Sequence, residues 1–144
     1  MNAGHIFLSC GEASGDRYGA ALLAALRAQR PQLRFSALGG PALAMAGARV
    51  VQAAEEVAVM GFGEVLSSLP AILRARRRVW RHLDRGGVDL VVPIDFPGFN
   101  LQVAGRAKRN GLPVFYLVPP QLWAWGACGL PKLRRRGDRV GASL

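Results

Sequence analysis

Cysteine is scarce in this sequence. The chain holds two cysteines, Cys10 and Cys128, and neither has a second cysteine or a histidine at the spacing of metal ligands. A disulfide-rich scaffold and a cysteine-based metal cluster are therefore excluded, and we expect a reducing, cytosolic setting. Apolar runs are too short for a transmembrane helix. The first residues also lack the basic-then-apolar pattern of a signal peptide, because Glu12 and Asp16 follow a short apolar run.

Negative charge is also in short supply. The 144 residues carry 19 Lys and Arg against 9 Asp and Glu, which is a formal net charge of +10. Hydrophobic residues make up 51% of the chain and charged residues 19%, a composition that excludes a disordered protein and fits one folded domain. The positive excess predicts an anionic partner, which leaves nucleic acid, an anionic membrane surface and phosphorylated substrates open. A solvated, basic helix face is the alternative for each arginine-rich stretch.

Short apolar runs alternate with stretches of helical periodicity. The runs predict strands over 5–9, 34–38, 49–51, 88–94 and 113–118, and a further strand that begins at Asp138. The segments between them predict helices over 16–29, 41–46, 63–85 (interrupted at Pro70) and 101–109. This order indicates an α/β fold, a Rossmann-like parallel sheet with helices on both faces. Because such a domain does not usually stop where a strand begins, we expect a truncated chain.

The first loop at the carboxyl edge of the predicted sheet carries Glu12 and Asp16 among glycines. Ligands bind at this edge of parallel sheets. The glycine spacing matches neither familiar phosphate-binding loop, and the two carboxylates would repel a phosphate. The loop is better suited to accept hydrogen bonds from sugar hydroxyls. The alternative is helix capping by Ser14 or Asp16.

The second loop places Asp95 directly after a buried strand. Phe96 and Phe99 would lower the local dielectric around its carboxylate, which favours a role as general base. The alternative is that Asp95 or Asn100 is the N-cap of the following helix.

The third loop places two tryptophans, Trp123 and Trp125, after a Pro-Pro turn. Aromatic faces of this kind commonly stack on sugar rings or line ligand clefts. A hydrophobic plug beneath the loop is the alternative.

The helical region after residue 63 begins with apolar residues and continues with arginines. An apolar surface beside an arginine cluster favours contact with an anionic membrane, to which each basic group contributes about 1 kcal/mol. The alternative is an ordinary core-facing helix with a basic outer side.

Three other features carry no chemistry of their own. His5 lies in an apolar strand, so a structural role is favoured over a catalytic one. Cys10 is predicted to be a small buried residue without a partner. No Asp-x-Asp pair is present to hold a nucleotide-bound metal.

Four segments together resemble the lipid-A-disaccharide synthase family, in order and approximate spacing across residues 5–125. They are Gly11-Glu12-Ala13-Ser14-Gly15-Asp16, Val59-Met60-Gly61-Phe62-Gly63-Glu64-Val65, Ile94-Asp95-Phe96-Pro97-Gly98-Phe99-Asn100 and Tyr116-Leu117-Val118-Pro119-Pro120-Gln121-Leu122-Trp123-Ala124-Trp125.

The resemblance implies a two-domain GT-B glycosyltransferase. Residues 1–125 would form its acceptor-side, Rossmann-like domain, and residues 126–144 a basic segment that leads to a missing nucleotide-sugar domain. The family transfers 2,3-diacylglucosamine from its UDP conjugate to 2,3-diacylglucosamine 1-phosphate with inversion. Its members need no metal or other cofactor and are peripheral on the inner face of the cytoplasmic membrane. We expect this half alone to lack the donor site and to be inactive.

The resemblance also implies roles for individual residues. Asp95 falls on the essential aspartate of the family and would be the general base for the acceptor 6-hydroxyl. The acceptor-binding residues would be Gly11, Glu12, Ser14, Gly15, Asp16, Phe96, Asn100, Gln121, Trp123 and Trp125. The membrane contact would be made by Met60, Phe62, Val65, Leu66, Leu69, Ile72, Leu73, Arg74 and Arg77.

The sequence departs from the family pattern after Trp125. The segment 126–131 intervenes there, and Pro131 would disturb the helix that leads to the second domain. A second hypothesis of a different class is a stand-alone Rossmann-like module that binds anionic lipid or RNA through its arginine clusters. The transferase hypothesis expects no nucleic-acid partner. Binding that falls steeply with salt would indicate RNA.

Overall fold

The computed structural model describes residues 4–58, 65–118 and 139–142. Strands and helices alternate along these residues, as the hydrophobic pattern predicts. The strands are β1 (His5–Cys10), β2 (Arg34–Gly39), β3 (Arg49–Ala53), β4 (Leu90–Ile94), β5 (Phe115–Val118) and β6 (Arg139–Ala142). The helices are α1 (Ala13–Gln29), α2 (Pro41–Ala46), α3 (Glu55–Ala58), α4 (Val65–Asp84) and α5 (Pro97–Arg109).

The six strands form one parallel sheet in the order β3-β2-β1-β4-β5-β6. This is the strand order of the Rossmann fold, in which the chain winds outward in both directions from the two central strands. The predicted fold class is confirmed. The strand predicted from Asp138 is also confirmed, since β6 pairs with β5 through Arg139 opposite Phe115.

The sheet has a hydrophobic core on each face, because strand side chains point alternately to opposite sides. On one face, β1 and β4 bury Phe7 and Val91 against α4 and α5. On the other face, Leu8 and Val92 pack with α1 and α2. Two covered faces explain why the central strands read as continuous apolar runs.

The pairing of β4 with β5 is interrupted at Pro93. The two strands are in register at Ile94 and Leu117, with an isolated bridge between Val91 and Val114. Proline has no N–H to donate to a neighbouring strand, which removes the ladder bond between those two positions.

Several predicted element boundaries are wrong. Helix α1 begins at Ala13 and α5 at Pro97, three and four residues before their predicted starts at 16 and 101. Helix α4 continues through Pro70, where an interruption was predicted. The proline is exposed and lies within the first two turns, so it costs the helix a single backbone bond. The short helix α3 was not predicted.

Candidate functional site

The carboxyl ends of β1 and β4 lie side by side at the centre of the sheet, paired through Cys10 and Ile94. From β1 the chain turns into α1 and from β4 into α5, and these helices cover opposite faces of the sheet. A crevice forms outside adjacent parallel strands whose connections leave in opposite directions, and ligands bind in such crevices. The two loops predicted to carry chemistry, at Glu12 and at Asp95, therefore meet at one place.

Asp95 and Phe96 both have a left-handed backbone, with φ of 51° and 49°. A residue with a β-carbon in this region carries a steric cost of roughly 1–2 kcal/mol, and a bulky residue there is an outlier. Phe96 is the N-cap of α5 and no side chain caps that helix. The alternative that Asp95 or Asn100 caps α5 is therefore wrong.

The Asp95 peptide is held by hydrogen bonds on both sides. Its carbonyl oxygen accepts from Asn100 Nδ2 at 2.7 Å and from the Tyr116 hydroxyl at 2.9 Å. Its N–H donates to the Leu117 carbonyl at 3.0 Å. Asp95 is half-buried at this edge of the sheet.

Asn100 is fully buried beneath this turn. Its Oδ1 accepts from Ser9 Oγ at 2.6 Å, and its Nδ2 also faces the carbonyls of Ser9 at 2.9 Å and Ile94 at 3.1 Å. Every polar atom of the side chain therefore has a partner inside the protein. The hypothesis of direct acceptor contact no longer includes Asn100.

Gly11 lies under the ring of Phe96. A β-carbon at position 11 would overlap three atoms of that ring. The glycine is thus required by the approach of an aromatic side chain from the neighbouring loop. The structure places Gly11 and Phe96, both predicted to bind acceptor, in contact at the crevice.

Asp16 is buried and caps α2, whose N-cap residue Gly40 supplies no side chain. Its Oδ1 accepts from the N–H groups of Gly40 at 2.8 Å and Leu43 at 3.1 Å, and its Oδ2 from that of Ala42 at 2.9 Å. Carboxylates stabilise a helix N-terminus by satisfying such N–H groups. The alternative of helix capping is confirmed for Asp16, although the capped helix is α2; α1 begins at Ala13 with Glu12 as N-cap and no side-chain cap bond. Asp16 also lines the cleft described next, so its contact with an acceptor stays a prediction.

A cleft of about 720 Å³ opens beside the crevice, at the carboxyl ends of β1, β2 and β3. Its wall is largely apolar and small, and its charged residues include Glu12, Arg17 and Glu55. Glu12 is exposed, Ser14 is half-buried, and Gly15 is buried in the first turn of α1. The sequence analysis does not predict Arg17 as a residue of the site, although it directly follows Asp16 near the beginning of α1.

Helix α4 faces the core with Ile72, Ala75, Val79 and Leu83, all buried. Its other side is basic, with Arg74 and Arg77 exposed. This arrangement confirms the alternative of a core-facing helix with a basic outer side for residues 72–83, and it removes Ile72 from the predicted membrane contact.

Leu69 and Leu73 are exceptions on this helix, since their side chains are 43% and 40% exposed. Together with Arg74 and Arg77 they leave an apolar and basic surface at the beginning of α4.

A basic groove of about 610 Å³ separates the outer side of α4 from α5. Arg76 lies over the ring of Trp80, with its guanidinium carbon 6.0 Å from the ring centroid. Asp84 pairs with Arg106 across the groove, and hydrogen bonds from Arg106 and Asn110 hold the pKa of the Asp84 carboxyl below its usual value. The arginine stretches at 74–85 and 106–109, separate in sequence, thus form one surface.

His5 lies at the opposite, amino end of the sheet. Its Nδ1 contacts the Gly87 carbonyl at 3.2 Å, and its Nε2 contacts Ser36 Oγ at 2.7 Å. Ser36 Oγ is also 2.8 Å from His82 Nε2. The placement agrees with a structural role for His5. Cys10 is buried and unbonded to another cysteine, and burial raises the pKa of its thiol.

Several predicted residues lie outside the described residues. These are Met60, Phe62, Gln121, Trp123 and Trp125. Val65 and Leu66 are described only as backbone of α4. The acceptor and membrane roles predicted for them stay predictions.

The sequence alone does not single out Ser9 and Tyr116, two buried residues beneath the Asp95 turn. Tyr116 was noted only within a matching motif, and Ser9 as part of a strand. The signal for Ser9 is a polar residue near the end of an otherwise apolar strand, where burial demands a hydrogen-bonding partner.

Within the described ranges, no three His, Cys, Asp or Glu side chains are grouped to hold a metal ion. In the same ranges, none of the helices combines the length and apolarity needed to cross a bilayer.

Comparison with known proteins decides the family. The model of the lipid-A-disaccharide synthetase family matches residues 6–144. The chain belongs to this family. The lipid-A-disaccharide synthase of Acidobacterium capsulatum is 45% identical over 139 residues, which are 96% of this chain and 35% of that protein. The enzyme of the same name from Syntrophus aciditrophicus is 40% identical over 144 residues, 100% of this chain and 38% of that protein. That from Neisseria meningitidis serogroup C is 44% identical over 135 residues, 94% and 35% respectively.

The chain therefore spans a little over a third of the length of the lipid-A-disaccharide synthases it matches. The synthetase family match runs through residues 126–144, including the segment around Pro131 that departs from the expected pattern. The division of the chain at residue 125 stays a prediction.

Proposed function

We propose that this chain is the acceptor-side part of an inverting glycosyltransferase that forms the lipid A disaccharide. The donor would be UDP-2,3-diacylglucosamine and the acceptor 2,3-diacylglucosamine 1-phosphate. The observation that carries the proposal is the position of Asp95, which is half-buried on a left-handed turn directly after β4, at the carboxyl edge of the sheet. Family membership and the names of the relatives support the reaction.

In the proposed reaction the Asp95 carboxylate accepts the proton of the acceptor 6-hydroxyl. The hydroxyl oxygen forms a bond to the anomeric carbon of the donor sugar as the bond from that carbon to the UDP oxygen breaks. Attack from the side opposite UDP inverts the anomeric centre, and UDP leaves with its electron pair. A positioned general base of this kind contributes about 10²–10⁴-fold to the rate.

The donor site is proposed to lie in the second domain of the GT-B pair, in the part of the family's length that this chain does not span. The acceptor is proposed to occupy the crevice and the adjoining cleft of about 720 Å³. The largely apolar wall suits the acyl chains, Glu12 and Glu55 suit the sugar hydroxyls as hydrogen-bond acceptors, and Arg17 is the lining cation that would meet the 1-phosphate.

Replacing Asp95 with asparagine in a full-length protein that contains this sequence tests the base. Asparagine keeps the size and cannot take a proton, so kcat should fall about 10²–10⁴-fold. Turnover is measured by UDP release. Asp89→Asn, at an exposed aspartate near the amino end of the sheet, is the matched control and should retain normal kcat. Near-normal turnover in Asp95→Asn would remove Asp95 from the base role.

The membrane contact is proposed to use the beginning of α4, where Leu69 and Leu73 are exposed beside Arg74 and Arg77. The protein would then be peripheral on the inner face of the cytoplasmic membrane. Exposed apolar side chains insert into the interface while basic ones attract anionic lipid.

Sedimentation with phosphatidylglycerol vesicles tests this contact. The double variant Leu69→Ser/Leu73→Ser should bind the vesicles several-fold more weakly, because both apolar contacts are removed. Met45→Ser, at a side chain 90% exposed on α2, is the control and should bind normally. Equal binding by both variants, or binding that vanishes in high salt, would refute an apolar membrane contact at α4.

A further inference from the structure

The turn after β4 poses a physical problem. Two consecutive residues with β-carbons, Asp95 and Phe96, hold left-handed conformations. Such a conformation persists only where the surroundings fix it. Since no side chain caps α5, the restraint must come from elsewhere.

The restraint is a set of three buried side chains, Ser9, Asn100 and Tyr116. Asn100 Nδ2 and the Tyr116 hydroxyl both donate to the Asp95 carbonyl oxygen, from α5 and from β5. Ser9 Oγ, on β1, donates to Asn100 Oδ1. Burial and the nearby Asp95 charge raise the pKa of the Tyr116 phenol, so the hydroxyl stays a donor throughout the physiological range.

Each member of the set has one possible orientation. Three carbonyls converge on Asn100 Nδ2, so only the amide nitrogen can face them, and the Ser9 hydroxyl donates to the opposite oxygen. The carbonyl of Asp95 is thereby fixed by donors from two elements, while its N–H is bonded to Leu117.

None of the three side chains can reach a substrate. Ser9, Asn100 and Tyr116 are each 0% exposed. Any effect they have on a reaction must pass through Asp95, whose side chain is the one at the crevice.

We propose that Ser9, Asn100 and Tyr116 are positioning residues that hold the Asp95 carboxylate in its reactive place by fixing the Asp95 peptide from below. The inference rests on the proposed base role of Asp95. A base must lie within hydrogen-bonding distance of the proton it removes, and a misplacement of 1 Å costs on the order of 10²-fold in rate.

The test uses Tyr116→Phe and Ser9→Ala in the full-length protein, with both substrates varied. Tyr116→Phe removes one of two donors to the Asp95 carbonyl and leaves the buried ring in place. We expect kcat to fall about tenfold. KM for each substrate should change by less than about twofold, because no substrate contact is lost.

Ser36→Ala is the matched control for Ser9→Ala. Ser36 is also a buried serine, on the neighbouring strand β2, hydrogen-bonded to side chains, but it lies at the amino end of the sheet. The Ser36→Ala variant should lower the free energy of unfolding about as much as Ser9→Ala does, and it should leave kcat unchanged.

The double variant Tyr116→Phe/Asp95→Asn separates positioning from general stability. If Tyr116 acts through the carboxylate, the double variant should turn over no more slowly than Asp95→Asn alone. Unchanged kcat in Tyr116→Phe, or a further tenfold loss on top of Asp95→Asn, would overturn the positioning role while leaving the base intact. Near-normal turnover in Asp95→Asn alone would overturn both. If Ser9→Ala fails to fold, the Tyr116→Phe results decide.

Discussion

The two turns on either side of β4 both contain consecutive residues with positive φ, but the residue types differ. Before the strand, Gly86 and Gly87 have φ of 86° and 98°, and after it Asp95 and Phe96 have φ of 51° and 49°. Glycine enters this region without a steric cost, whereas a residue with a β-carbon does not. The amino-side turn is thus relaxed and the carboxyl-side turn is strained.

The strained turn also has more side-chain hydrogen bonds to its backbone than the relaxed one. The Gly87 carbonyl has one side-chain contact, from the exposed end of the His5 ring. The Asp95 carbonyl has two donors, both buried. Where the turn only connects a helix to a strand, glycine suffices. Where the proposed base Asp95 follows the strand, the turn carries side chains and the surrounding elements supply the restraint.

The two turns lie at opposite edges of the sheet, and variants at these edges should differ in stability. The largest loss of stability is expected from Asp16→Ala, at the carboxyl edge. The variant removes three hydrogen bonds from backbone N–H groups to a buried carboxylate at the carboxyl edge. Hydrogen bonds to charged groups contribute more than neutral ones, so the free energy of unfolding should fall by about 3 kcal/mol. Urea denaturation measures it.

Asp89→Ala is the control at the amino edge. Asp89 is exposed and accepts one backbone bond, from the His5 N–H at 2.8 Å. Its loss should cost below about 1 kcal/mol. Equal costs for the two variants would show that the edges do not differ as described.

A smaller effect is expected from Gly11→Ala. The new methyl group would overlap the Phe96 ring and push it from the crevice. Overpacking of this kind costs about 1–3 kcal/mol, and we expect about 2 kcal/mol by the same measurement. Gly98→Ala is the control, because that position in α5 is open and its φ is not positive. There the added methyl should leave stability unchanged or raise it.

The smallest effect is a pH dependence at the amino edge. Burial lowers the pKa of both His5 and His82, helped by Arg34 for His5 and by His5 itself for His82. A lowered pKa means that the folded state binds protons less readily than the unfolded chain. The stability that the two neutral histidines contribute is therefore fully present above a pH of about 6.5, and it is lost as the pH falls below that value.

Urea midpoints at pH 7.5 and 5.5 measure this dependence, and His82→Gln should reduce it. Crevice residues take no part, so Tyr116→Phe should retain the full pH dependence. A slope unchanged in His82→Gln would assign the titration to other groups.

The sheet was predictable because its strands are apolar runs separated by helical periodicity. The starts of α1 and α5 were not, since neither helix has a side-chain cap to mark it. In α5, Pro97 and Gly98 are a pair typical of turns, and here they form the first turn of a helix.

Some residues of the candidate site could be predicted from the sequence and others could not. Asp95 was identifiable from its place after a buried strand. The role of Asp16 was not, because its partners lie 24 to 27 residues away on another helix. The left-handed Phe96 has no sequence signal either: Asp is enriched in that conformation, but a bulky residue adopts it rarely.

Pro93 leaves a gap in the row of hydrogen bonds that β4 donates to its neighbour on the β5 side. The N–H groups of Val91 and Asp95 donate to the Pro113 and Leu117 carbonyls, at 3.0 Å each, and the proline between them cannot donate. The Asp95 peptide also accepts from the Tyr116 hydroxyl. The peptide after β4 is therefore a point at which β5 is fastened to the chain on both sides of one residue.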